Sequence, residues 1–130
     1  MKEVKVVGYV GNKNRYDYDQ LVVQARSRGL IAYDLMNTAE EHVCEDILRC
    51  DKIYVVGEKF EMNEIAQDII AYANMMQKPI NSLNGITESE IRCFTINFCM
   101  NMAEGLMAVN EGIRIYDTIY GDNNDLDEND

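Results

Sequence analysis

The carboxylates that follow the third predicted strand are the residues of this sequence best suited to chemistry. Glu58, Glu61 and Glu64 come after the strand at residues 52–56, and Asp68 lies one helical turn beyond Glu64. Two carboxylates on one face near a helix start can act in acid–base or nucleophilic chemistry at a sugar carbon. Glu64 and Asp68 are therefore the candidate catalytic residues. The alternative is that these acids only favour the helix dipole.

The loop after the first predicted strand is a candidate for binding a small ligand. It contains two glycines, Gly8 and Gly11, which allow the backbone to approach a ligand closely, and its amides lie near the start of a helix. The loop matches neither a dinucleotide fingerprint nor a Walker A motif, so a plain turn that needs glycine is the alternative. The candidate binding residues of this loop and of the loop after the third strand are Gly8, Tyr9, Gly11, Asn12, Asn14, Tyr16, Gly57 and Glu58.

Cysteine and histidine spacing predicts neither a metal site nor a cofactor. The cysteines form two pairs with a spacing of six, Cys44 with Cys50 and Cys93 with Cys99, and the only histidine is His42. A zinc site needs closer ligand pairs. Buried thiols in a reducing compartment are the expected state of these side chains.

The charge balance disfavours two classes of partner. The chain has 12 basic and 23 acidic residues, a formal charge of −11, which disfavours binding to nucleic acid or to an anionic membrane surface. No apolar run reaches the ~18 residues of a membrane span, and the first residues lack the apolar core of a secretory signal. We therefore expect a cytoplasmic protein.

Short β-branched segments alternate with segments of helical period along the first 80 residues. The predicted strands are residues 4–10, 30–36, 52–56 and 79–82, and the predicted helices are residues 15–28, 38–50 and 61–77. This alternation is typical of right-handed βαβ units, so we expect a three-layer, Rossmann-like (flavodoxin-like) α/β fold with a parallel sheet of order 2-1-3-4. Ligands bind such sheets at the carboxyl ends of the strands, where the strand order reverses. The pocket is therefore expected where the loops Gly8–Asn14 and Gly57–Glu64 meet.

The C-terminal part of the sequence predicts an unusual helix. Residues 88–110 have apolar side chains on two helical faces, and a surface helix needs only one. The second face predicts a homodimer or higher oligomer. Residues 113–119 alternate with period two, as in an edge strand, so residues 1–120 are expected to form a single domain followed by a disordered acidic tail at 121–130.

Several segments together resemble one known superfamily. They are Val4–Gly11, the turn Arg28-Gly29, the stretch Ile47–Val56 and the segment Gln77–Ile80. Over about residues 3–82 the chain is similar to the nucleoside 2-deoxyribosyltransferase-like superfamily, and within it to small phage and bacterial members.

The resemblance implies a site at the N-glycosidic bond of deoxynucleosides or their monophosphates. In active members a glutamate on the helix after the third loop attacks the sugar, helped by a tyrosine on the first strand and an aspartate on the helix before the third strand. In this sequence the glutamate position falls on Asp68, or on Ile69 when counted from Pro79. Lys5 stands at the tyrosine position and Val43 at the aspartate position. The resemblance thus implies a nucleotide- or nucleoside-binding protein without efficient catalysis.

Two alternatives remain open at this point. The chain could be a working N-glycosidase or deoxyribosyltransferase that uses Asp68 or Glu64. It could instead be an oligomeric interaction protein in which the sheet is only a scaffold. In an acidic chain, any bound phosphate would be held by backbone amides together with Lys13, Arg15 and Lys59.

Overall fold

The computed structural model describes residues 3–15 and 17–104. By its internal contacts the chain divides into two units, Met1–Phe98 and Cys99–Asp130. The elements of the first unit, in chain order, are β1 (Val6–Gly11), α1 (Tyr18–Ser27), β2 (Ile31–Asp34), α2 (Glu40–Arg49), β3 (Lys52–Val56), a 3-10 helix (Lys59–Glu61), α3 (Glu64–Met75), β4 (Ile80–Ser82) and the helical residues 88–98, here α4. In the second unit the described residues 99–104 are helical.

The four strands form one parallel sheet in the order β2-β1-β3-β4, which confirms the predicted α/β class and strand order. β1 is central and pairs with both β2 and β3, with Tyr9 beside Tyr54 and Gly11 beside Val56. At the start of β1, the Asp51 carboxylate accepts hydrogen bonds from the backbone N–H groups of Lys5 and Val6, at 2.9 and 3.0 Å. Asp51 thus holds the start of β1 against the start of β3.

Helices cover both faces of the sheet, because right-handed crossovers in this strand order place α1 on one face and α2 and α3 on the other. On the α1 face, Val7 and Val56 pack with the buried helix residues Tyr18 and Val22. The other face has the larger cluster of buried side chains, to which every helix and strand on that face contributes. It includes Val10 of β1, Ile47 of α2, Ile53 and Val55 of β3, Ile70 of α3, and Ile91 and Phe94 of α4.

The long apolar helix predicted over residues 88–110 is not found. Residues 88–104 are helical, but in α4 only Ile91 and Phe94 are buried, while Ile96 is 51% exposed. Ile91 and Phe94 form the apolar stripe that packs α4 into the larger cluster, and Cys93, like Ile96, is exposed on another face of this helix. The predicted remainder of this helix, the edge strand at 113–119 and the acidic tail at 121–130 lie outside the described residues.

A threonine stands three residues before a glutamate at Thr38–Glu41 and at Thr87–Glu90, a capping pattern that predicts a helix start at each. The structure confirms one of these starts and not the other. At Thr87 the pattern is confirmed, since the Thr87 N–H donates to the Glu90 carboxylate and the Glu90 N–H donates to the Thr87 hydroxyl. At Thr38 it is wrong, because α2 begins after Ala39 without a side-chain cap. The Thr38 hydroxyl donates instead to the carbonyl of Asp34, so it closes the turn after β2.

Candidate functional site at the carboxyl ends of β1 and β3

The strand order reverses between β1 and β3, which is where open α/β sheets bind ligands. From β1 the chain crosses to β2 on one side, and from β2 it returns past β1 to β3 on the other. The loops after β1 and β3 therefore leave adjacent strands toward opposite faces of the sheet, and neither α1 nor α3 lies between the two loops. The backbone N–H of Asn12 donates to the carbonyl of Val56 at 2.9 Å, so the two loops are in contact from their first residues.

Glycines make this close approach possible. Gly11 has a φ of +139°, and a Cβ built there would lie 2.0 Å from the carbonyl oxygen of Val56. Gly57 has a φ of +114°, and its N–H donates to the Asn84 side chain at 2.6 Å. A Cβ at Gly57 would lie 3.2 Å from a carboxylate oxygen of Glu61. A side chain at position 11 would push the two loops apart, and the φ of Gly57 disfavours a side chain at position 57.

The Glu61 carboxylate joins the two loops. It accepts a hydrogen bond from the Asn12 side-chain amide at 3.1 Å and from the backbone N–H of Glu58 at 2.6 Å. The Arg15 guanidinium lies 3.0 Å from one carboxylate oxygen and 3.2 Å from the other. Amide, backbone N–H and guanidinium donors from both loops thus converge on one anionic group.

These donors also set the electrostatics of Glu61. Its pKa is lowered, first by the hydrogen bond from the Glu58 backbone, then by the Asn12 amide, with a further contribution from Arg15. The Glu61 side chain is only 13% exposed. An ionised carboxylate is therefore the preferred state at this position.

The Asn12 and Arg15 side chains are themselves held in place. The Asn12 side-chain oxygen accepts a hydrogen bond from the backbone N–H of Asn14, which turns its amide group toward Glu61. The Arg15 Nε lies 3.4 Å from an Asp17 carboxylate oxygen. Lys13 and Lys59 are exposed, one on each loop. The first loop therefore presents pre-oriented donors beside the end of β3.

The two candidate catalytic carboxylates lie at the start of α3. Asn63 caps this helix by accepting a hydrogen bond from the Ala66 N–H at 2.8 Å. Glu64 is exposed, whereas Asp68 is partly buried. Burial, and to a lesser extent the charge of Glu64, raise the pKa of Asp68. The charge of Glu64 thus acts on the Asp68 carboxyl from one helical turn away.

Other candidate binding residues have different surroundings. Tyr9 is buried on the α1 face of the sheet and stacks on Tyr54, with ring centroids 5.3 Å apart. Gly8 lies against the larger core, where a Cβ would be 2.9 Å from the Cys50 sulfur. Tyr16 lies outside the described residues. Of the predicted set, the structure brings together Gly11, Asn12, Asn14, Gly57 and Glu58.

Sequence reasoning missed two residues of the site where the loops after β1 and β3 meet. Glu61 was one of several acids in an acidic loop, and no local pattern distinguishes it from Glu58 or Glu64. Asn84 precedes Gly85, and an Asn-Gly pair by itself predicts only a turn. Its position two residues after β4, the neighbour of β3, was the available signal, because side chains after adjacent parallel strands meet at one sheet edge.

A shallow cavity of about 290 Å³ occurs elsewhere, at the other end of α3. Its lining residues are Asn74, Lys78, Ile80, Glu88, Ile91 and Arg92. Lys78 is already engaged, because its ammonium donates to the carbonyl of Leu48 at 2.7 Å. None of the loop residues at the ends of β1 and β3 contributes to this cavity.

Neither a metal site nor a membrane span is found within residues 3–15 and 17–104. No three His, Cys, Asp or Glu side chains in these ranges are grouped so that they could hold a metal ion. Within the same ranges, no helix combines the length and the apolar character that crossing a membrane requires. Comparison of the chain with protein-family models, with curated proteins and with solved structures finds no match.

Proposed function

We propose that this chain binds a nucleotide or nucleoside in the cleft between the loops after β1 and β3, without efficient catalysis. The observation that carries the proposal is the direct contact of these loops at the reversal of strand order. This position is the one at which open parallel sheets hold nucleotides. The resemblance to the nucleoside 2-deoxyribosyltransferase-like superfamily supports the same ligand class.

The donors in the cleft suit an anionic or polar ligand. Asn12 supplies an amide, Arg15 a charged planar donor, and Glu58 a backbone N–H. Such groups recognise phosphate and carboxylate oxygens through several short hydrogen bonds. Because the chain as a whole is acidic, this recognition depends on local donors and not on a broad positive field.

Thermal unfolding with a panel of nucleosides and nucleotides tests the proposal. A ligand at 100 times its dissociation constant should stabilise the protein by ~2.7 kcal/mol and raise the Tm. Asn12→Ala should abolish that increase, since it removes a cleft donor. Asn97→Ala, at an exposed position in α4, is the matched control and should leave the increase intact. A panel without any shift would contradict nucleotide binding and favour the interaction-protein alternative.

The coupled acids of α3 favour an N-glycosidase as the second candidate. A glycosidase needs one carboxyl group that holds its proton and one that stays ionised. Burial and the charge of Glu64 raise the pKa of Asp68, as expected for the group that holds its proton. The test is release of free base from deoxynucleoside monophosphates. Loss of release in both Asp68→Asn and Glu64→Gln, but not in the exposed α2 variant Glu41→Gln, would support this candidate. An absence of release from the unmodified protein would remove it.

A further inference from the structure

We propose that Glu61 is a self-ligand: its carboxylate fills the anion subsite of the cleft in the free protein, and the phosphate of a nucleoside monophosphate displaces it. The identification of the displacing ligand as a nucleotide rests on the function proposed above. The existence of the anion subsite rests on the geometry around Glu61 alone.

The donor arrangement around Glu61 is that of an oxyanion site. One side-chain amide, one backbone N–H and one guanidinium lie within 2.6 to 3.2 Å of its two oxygens. Gly57 provides the space, because a Cβ there would come within 3.2 Å of the same carboxylate. A phosphate offers a similar pair of oxygens to Arg15 and can accept the same hydrogen bonds.

The segment that carries Glu61 can move without disturbing the core. The 3-10 helix Lys59–Glu61 contains no buried residue, and Phe60 within it is 83% exposed. The segment lies between Gly57, with its φ of +114°, and Met62, which is buried at 5% exposure. Displacement of the carboxylate therefore breaks its hydrogen bond within the capping box of the 3-10 helix, while the ligand restores the hydrogen bonds from Asn12 and Arg15, and no buried apolar side chain has to move.

Two of the three donors stay in place when the segment moves. Asn12 is tied to β3 through the Val56 carbonyl and to its own loop through the Asn14 N–H. Arg15 has a second carboxylate partner in Asp17. The first loop would therefore keep its donors oriented toward an incoming anion.

The affinity of the cleft for anions should consequently be limited by competition from Glu61. Only the molecules with the carboxylate displaced can bind an anion. The apparent affinity is therefore the intrinsic affinity reduced in proportion to the fraction of such molecules. Glu61→Gln keeps the size of the side chain, but it removes the charge and places an amide against Arg15. We expect this variant to bind phosphate-bearing probes roughly tenfold or more tightly.

The experiment is calorimetric titration of the full chain with inorganic phosphate, with deoxynucleoside 5′-monophosphates and with the matching deoxynucleosides. Glu61→Gln should gain affinity for the phosphate-bearing probes and stay unchanged for the nucleosides. Glu41→Gln, which removes one exposed carboxylate from α2, should behave as the unmodified protein. Arg15→Gln should lose the phosphate-dependent binding.

The outcomes separate this proposal from the proposed function. Nucleotide binding that is equal or weaker in Glu61→Gln would overturn the self-ligand and leave the proposed function standing. A gain for inorganic phosphate without binding of any nucleotide would support the anion subsite and overturn the proposed function. Absence of phosphate-dependent binding in both proteins would overturn the self-ligand.

A measurement on the unmodified protein guards against a variant that folds poorly. At high phosphate concentration, the NMR signals of the Asn12 side-chain amide and the Glu58 backbone amide should shift together. Equal amounts of chloride should leave both signals in place. If neither signal shifts on addition of phosphate, displacement of the carboxylate is contradicted.

Discussion

Gly11 shows at the scale of one residue how strictly the cleft depends on its backbone. Its φ of +139° disfavours any side chain, and a Cβ would be 2.0 Å from the Val56 carbonyl oxygen. Gly29 follows α1 and also has a positive φ, +86°, but an added Cβ there would have no neighbouring atom within 4 Å. It therefore differs from Gly11 mainly in the space around the added Cβ. We expect Gly11→Ala to lower the free energy of unfolding by roughly 3 kcal/mol, and Gly29→Ala by about 1 kcal/mol. Urea unfolding measures both, and equal losses would contradict the close contact between the loops.

Glu61 makes the stability of the protein depend on pH in a defined direction. Its folded-state pKa is lowered by the hydrogen bonds that it accepts from Glu58, Asn12 and Arg15. The stabilisation is therefore complete above the unfolded pKa of about 4.3, and it is lost as pH falls through the lower folded pKa. We expect the difference in unfolding free energy between the unmodified protein and Glu61→Gln to be constant near neutral pH and to shrink below about pH 4. A difference independent of pH down to acid unfolding would contradict an ionised bridge.

The start of α3 can be tested at the scale of the element. The Asn63 side chain accepts the Ala66 N–H and so satisfies one of the free donors of the first turn. Asn63→Ala should lower the free energy of unfolding by about 1 kcal/mol. Asn97→Ala makes the same chemical change at an exposed position inside α4 and should be neutral or slightly stabilising, because alanine is the better helix former. Thermal unfolding of the two variants compares them, and a similar loss in both would mean that Asn63 is not acting as a cap.

The elements differ in how far the sequence predicts them. The alternation of strands and helices predicts right-handed βαβ units and a parallel sheet, and the order β2-β1-β3-β4 is one of several that these rules allow. The start of α2 could not be predicted from Thr38 and Glu41, since the turn after β2 uses the Thr38 hydroxyl to bind the Asp34 carbonyl. A capping pattern covers four residues, whereas the competing acceptor belongs to the preceding strand.

At the scale of the whole molecule, strand order predicts which loops meet but not which side chains join them. The contact between the loops after β1 and β3 follows from the parallel topology. The bridge from Glu61 to Asn12 and Arg15 depends on the 3-10 turn and on the orientation of the Asn12 amide, and neither has a sequence signature. The part of the site that is made of backbone was therefore predictable, and the part made of side chains was not.

Self-association is the remaining prediction for the whole molecule. Met100, in the second unit, is 56% exposed, and it belongs to the second apolar face that the sequence predicts for residues 88–110. If residues 88–110 form a homodimer interface, Met100→Asp should raise the dimer dissociation constant by ~100-fold or more, because an unpaired charge would be buried. Asn101→Asp adds the same charge about 100° around the helix and should leave the dimer largely intact. Light scattering over a range of concentrations measures both variants, and a monomeric unmodified protein would contradict the prediction outright.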